Sequence, residues 1–136
     1  MDYKKGDLSS SLEEVKNNVS RGGELTVCEF VEGFFSDTLP TRPGTERYAL
    51  VFEDADLPSS VRDVLRWTWP KLRDGSTFFC HEARDLEVVS IFFDGAWWRE
   101  TLAEEAPGFI GSGIGLPLGP DGSMLGYCVK PGQKRA

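Results

Sequence analysis

The chain has 136 residues and a formal net charge of −7, from 22 acidic and 15 basic side chains, with 40% hydrophobic and 12% aromatic residues. This suits a single globular domain with a real core and excludes a disordered chain. The acidic balance without a basic stripe argues against nucleic acid or an anionic membrane as partner, and no apolar run approaches the ~18 residues that span a bilayer.

Residues 1–8 are polar and expected to be loose. Two overlapping capping boxes follow, Ser10 with Glu13 and Ser11 with Glu14, and they predict a helix to about Ser20 with Leu12, Val15 and Val19 on one face. Arg21-Gly22-Gly23 ends it with a basic last turn and a glycine cap. Leu25 to Val31 reads as a strand. Gly33 to Pro40 leaves it as a loop or short helical turn, and a Pro/Gly linker over 41–47 leads onward.

The centre of the chain runs from Tyr48 to Glu82. The apolar run Tyr48 to Phe52 breaks into Glu53-Asp54-Ala55-Asp56. Apolar positions at Val61, Val64, Leu65, Thr68 and Leu72 give a helix, for which Ser59 or Ser60 is the expected N-cap. A second apolar run, Thr77 to Cys80, ends in His81-Glu82. Strand, helix, strand predicts a right-handed βαβ unit with parallel strands, so both strand ends reach the same sheet edge. Asp54, Asp56, His81 and Glu82 then converge where open α/β sheets bind ligands. Two acids at a strand end can hold a hard cation or merely cap the next helix; the only histidine of the chain beside them adds a proton acceptor.

Beyond Glu82, residues 86–93 favour a helix and Ala96 to Glu104 a second short one; Met124 to Val129 is a final strand, and residues 131–136 a loose basic tail. Gly111-Ser-Gly113-Ile-Gly115 reads as a turn, because no strand leads tightly into it and Leu116-Pro117 stands where a helix should start. Trp67, Trp69, Trp97 and Trp98 read as core packing rather than a substrate cleft, and Glu29, Glu32 and Glu46 as solvated. Cys28, Cys80 and Cys128 sit in apolar runs without a CxxC, as small buried hydrophobes of a reducing compartment. With no signal-peptide core at its start, the chain is expected to be cytoplasmic.

Residues 31–40 (VEGFFSDTLP), 52–60 (FEDADLPSS), Trp69-Pro-Lys-Leu72 with Gly75, and His81-Glu82 together resemble the macrocin-type O-methyltransferases. That family shows a G-x-F-x-D-T-L-P loop, a D-x-D-L-Y-x-S strand end, and a turn leading to an H-D or D-D strand end. The likeness covers roughly residues 10 to 82; Pro58 replaces a tyrosine and Glu82 an aspartate. It implies an α/β fold: part of a Rossmann-like class I methyltransferase sheet, mostly parallel, with flanking helices and an antiparallel last strand. The family's strand order is three, two, one, four, five, seven, six, and the chain is expected to supply only the third strand (residues 25–31) and strands four onward. It is therefore expected to lack the N-terminal strands that carry the glycine loop and the ribose-binding acid, and to be a fragment or inactive alone.

By the resemblance, Asp54, His81 and Glu82 hold a divalent cation such as Mg²⁺, Asp56 supports or shares it, and His81 or Asp54 serves catalysis. Gly33 and Phe34 lie near the adenine of S-adenosylmethionine, which this chain alone is expected to bind weakly or not at all. The implied acceptor is a small-molecule or sugar hydroxyl. The alternative is a non-enzymatic binding or assembly module that keeps the fold. An uncovered sheet edge would favour a homo-oligomer or pairing with a missing N-terminal half.

Overall fold

The computed structural model describes residues 9–111 and 124–132. They belong to two compact units, one up to Phe34 and one from Phe35. In the first, α1 spans Leu12–Gly22 and starts at a complete capping box: Glu14 N–H donates to the Ser11 hydroxyl while Ser11 N–H donates to the Glu14 carboxylate. Ser11 with Glu14 is therefore the box that forms. None of the α1 residues is buried, so the stripe of Leu12, Val15 and Val19 does not enter a core.

The strand expected over residues 25–31 does not form. Leu25–Val27 is a single 3₁₀ turn, followed by irregular chain. The Glu24 carboxylate accepts from both the backbone N–H and the hydroxyl of Thr26, and Cys28 N–H closes on the Leu25 carbonyl. These local bonds replace a sheet ladder. Cys28 is consequently exposed, against its expected burial.

The second unit opens with α2, Phe35–Thr38, and a 3₁₀ turn over Leu39–Thr41. Strand β1, Tyr48–Glu53, is followed by α3, Pro58–Thr68, and β2, Leu72–Cys80. Helix α3 starts earlier than its serines suggested. Leu57 is the N-cap and Pro58 the first helical residue, where its fixed φ suits the helix and its missing N–H costs nothing. The helix stops at Thr68 because Pro70 forces a 3₁₀ turn over Trp69–Lys71, so Leu72 opens β2 instead of lining α3. The short helices α4, Leu86–Ile91, and α5, Gly95–Leu102, are capped by the Asp85 and Asp94 carboxylates.

The sheet order is β1-β2-β4-β3, where β3 is Ile110–Gly111 and β4 is Gly126–Val129. β1 and β2 are parallel, with Glu53 opposite Cys80, and β4 is antiparallel to both β2 and β3. This is the order four, five, seven, six that the resemblance implies. Gly126 sits where the Phe109 ring lies against the backbone, and a Cβ there would overlap that ring. Residues 1–8, the glycine-rich stretch beyond Gly111 and the tail from 133 lie outside the described residues.

The core lies on one face of this sheet. Val61, Leu65, Trp69, Phe78, Cys80, Val88, Ile91, Phe92 and Trp98 are fully or almost fully buried in it. Of the four tryptophans, Trp69 and Trp98 are core, Trp97 packs against Trp98, and Trp67 remains exposed. The other face carries Leu50, Phe52, Tyr127 and Val129, each at least one-third exposed. Lys130, just before the tail expected to be loose, is buried, and its ammonium donates to the carbonyls of Trp69 and Leu72. It thereby satisfies two acceptors where α3 gives way to β2. Glu46 is not simply solvated either: it pairs with Arg42 and accepts the Tyr48 hydroxyl at 2.6 Å.

Candidate functional site

The parallel pairing brings the ends of β1 and β2 together. His81 N–H donates to the Glu53 carbonyl at 2.9 Å, extending the ladder one residue past the strands. From there Asp54 and His81 reach each other: His81 Nδ1 lies 3.3 Å from Asp54 Oδ1, both side chains about half exposed. Glu82 turns inward and is buried. One donor atom from each of Asp54, His81 and Glu82 lies within 4.8 Å of the others, a spacing that suits a single ion. The predicted convergence of these three is present.

Asp56 enters differently. It has φ of +60°, in the left-handed region that aspartate tolerates better than most residues, and its backbone N–H donates to Glu82 Oε1 at 3.0 Å. Its contact with the acids is therefore through the main chain. The loop is tightened by Leu57 N–H on the Ala55 carbonyl. Gly33, with φ of +137°, and Phe34, with its side chain well exposed, belong to the first unit.

One further group escaped the sequence reading. Glu53, taken only as part of the acidic tip, is 2% exposed and forms a second close set with Cys80 and Glu82. The strand alternation held the signal: Glu53 follows the outward-facing Phe52, which puts it on the core face beside Val51. One Glu53 oxygen accepts Ala55 N–H at 2.6 Å, but the other is buried with no hydrogen-bonding partner. The Cys80 thiol donates to Glu82 at 3.2 Å.

Burial raises the Glu53 carboxyl to about 8, and the Glu82 carboxylate pushes in the same direction, against opposing bonds from Cys80 and Ala55. Burial, followed by Glu53, also pushes up the Cys80 thiol. Folded Glu53 thus keeps a proton that the unfolded chain, with an ordinary value of 4.5, has released. Stability from this group is fully present below about pH 4.5 and is lost as pH rises toward 8. The slope is at most about 1.4 kcal/mol per pH unit. Urea midpoints measured in chelator across this range should fall more steeply for the natural chain than for Glu53→Gln.

A cavity of about 550 Å³ lies at the other end of β2, between Asp74, Leu102, Glu104 and Lys130. It is remote from the acids and carries none of their chemistry.

Comparison with known proteins agrees with this fold. Residues 2–103 match the family model described as macrocin O-methyltransferase (TylF), which reaches past the likeness seen at 10–82. The chain is 35% identical over 113 residues to a mycinamicin III 3″-O-methyltransferase of Micromonospora griseorubida, covering 70% of this chain and 44% of that protein. It is 41% identical over 116 residues to a tetracenomycin-type 4′-O-methyltransferase of Streptomyces olivaceus that acts on a rhamnosyl derivative, covering 72% and 44%. The solved O-methyltransferase NovP superposes with a TM-score of 0.64 at 25% identity, over 92% of this chain and 47% of that one. The chain therefore spans less than half the length of the relatives it matches. With the family model matching three-quarters of its residues and the sheet order in place, the chain belongs to the macrocin O-methyltransferase family.

Proposed function

We propose that this chain is the acceptor-side part of a metal-dependent O-methyltransferase for a hydroxyl of a sugar or another small molecule. The supporting observation is the meeting of Asp54, His81 and Glu82 at the ends of two parallel strands. The relatives' names describe methylation of such hydroxyls, and family membership implies S-adenosylmethionine as methyl donor.

The described residues do not fit that donor. Their sheet corresponds to strands four to seven of the family order, with no counterpart for the strands of the glycine loop and ribose acid. A divalent cation does fit, because two carboxylates and an imidazole supply three ordinary ligands at suitable spacing, with water to complete the shell. Bound there, it would supply Lewis acidity toward a substrate hydroxyl. Asp54 beside Nδ1 orients the imidazole, whose Nε2 would serve either as a ligand of the ion or, where the carboxylates alone hold it, as the proton acceptor. Glu82 is fixed by Asp56 N–H and the Cys80 thiol, which hold its carboxylate at the strand end.

Calorimetric titration with Mn²⁺ or Mg²⁺ tests this reading. Asp54→Asn should weaken binding by at least about tenfold, the cost of one charge-assisted contact. Equal affinity in the variant would contradict it. The alternative, an assembly module without catalysis, is favoured by the exposed apolar face of Leu50, Phe52, Tyr127 and Val129. Under that reading sedimentation shows self-association that Phe52→Lys removes, and Asp54→Asn leaves it unchanged.

A further inference from the structure

We propose that Glu53, Cys80 and Glu82 form a second, buried cation site, selective for a borderline metal such as Zn²⁺, which shares Glu82 with the outer Asp54–His81–Glu82 set. One donor atom from each of the three lies within 4.8 Å of the others, and all three residues are buried. Neighbouring donors of a tetrahedral zinc ion stand about 3.3–3.7 Å apart, so closing a set whose atoms lie within 4.8 Å of one another requires shifts of up to about an ångström.

The independent sign is the Glu53 oxygen without a partner. A buried acceptor with no donor is costly, and such groups in native proteins commonly mark an ion or a function. Glu53 lies 98% buried at the end of β1, against both the Cys80 thiol and the Glu82 carboxyl. A proton held by Glu53 and directed at Glu82 is one way to meet this arrangement. A cation is the other, and the thiol decides which cation it would be. Thiolate sulfur favours zinc-like ions over Mg²⁺, which demands six oxygen ligands and keeps several of its waters. Three buried ligands suit an ion that keeps few waters.

Glu82 has the capacity for this double duty. Its oxygens already accept Asp56 N–H and the Cys80 thiol, and a carboxylate offers about four lone-pair sites. Because it belongs to both sets, an ion can pass from the half-exposed Asp54–His81 pair to the inner set without crossing the apolar core. Occupation of the inner site expels the thiol proton and the Glu53 proton to solvent, leaving one thiolate and two carboxylates around the ion.

Co²⁺ titration of the whole chain provides the test. The expected result is a near-ultraviolet sulfur-to-cobalt charge-transfer band at one equivalent, displaced by Zn²⁺ and unmoved by millimolar Mg²⁺. The band should survive in His81→Ala, Asp54→Asn and Cys28→Ser, and vanish in Cys80→Ser. Its survival in His81→Ala and Asp54→Asn separates this site from the outer one, whose failure would leave the band untouched. Should Cys80→Ser not fold by circular dichroism, Glu53→Gln decides: it keeps all three thiols and should weaken cobalt binding by about tenfold or more. Cobalt binding without a sulfur band, loss of the band in Cys28→Ser, or full affinity in Glu53→Gln would each overturn the proposal.

Discussion

Titration of the 136-residue chain with S-adenosylmethionine should give no binding heat at sub-millimolar concentrations. In class I enzymes, as the family resemblance implies, the ribose hydroxyls rest on an acid of the second strand and the amino-acid end on the glycine loop after the first. The described sheet begins with β1 at Tyr48, and no Gly-x-Gly pattern precedes it in the sequence. Each charge-assisted hydrogen bond is worth about 1.5–3 kcal/mol, so losing two or three removes roughly 3–9 kcal/mol. At about 1.4 kcal/mol per tenfold change, a micromolar site falls to millimolar or weaker. Stacking on Phe34 could restore only about 1 kcal/mol. Micromolar binding would mean that these residues build a cofactor pocket from other parts of the chain.

Trp98→Ala is expected to destabilise the second unit by about 3–5 kcal/mol, the usual cost of emptying a large aromatic site. Trp98 is fully buried and stands edge-on to Trp69 at 4.9 Å between ring centroids. Its indole N–H also donates to the Ile91 carbonyl at 2.8 Å, tying α5 to the end of α4. A domain with a total stability of about 5–15 kcal/mol would lose a large fraction of it. Urea unfolding measures the effect, and the exposed Trp67 is the control: Trp67→Ala should stay within about 0.5 kcal/mol of the natural chain. Equal losses at the two positions would contradict the assigned core.

The central βαβ unit was legible because its signals are local and strong. Val61, Val64, Leu65 and Thr68 keep helical spacing and are all buried, and the acids stand where two apolar runs stop. Parallel pairing of the two strands then brings Asp54 to His81. Residues 25–31 misled because β-branched and aromatic residues imitate a strand, whereas strands need neighbours and Glu24 offered Thr26 a local bond. The burial of Lys130 was illegible, since its two carbonyl partners lie 58 and 61 residues away. Glu53 was readable in principle from alternation along β1. Three neighbouring acids at the tip masked it, and only the fold shows that it points inward while Asp54 points out.

The central claim is that Asp54 and His81 belong to one cation site, and the single histidine of the chain makes it directly measurable. Proton NMR of the His81 imidazole during Mn²⁺ addition reports proximity, because the paramagnetic ion broadens nearby resonances before a full equivalent is present. The expected result is early broadening of that one signal, its persistence in Cys80→Ser, and its loss in Asp54→Asn at the same manganese concentration. A sharp imidazole signal while Mn²⁺ binds elsewhere, or broadening that Asp54→Asn leaves unchanged, would contradict it.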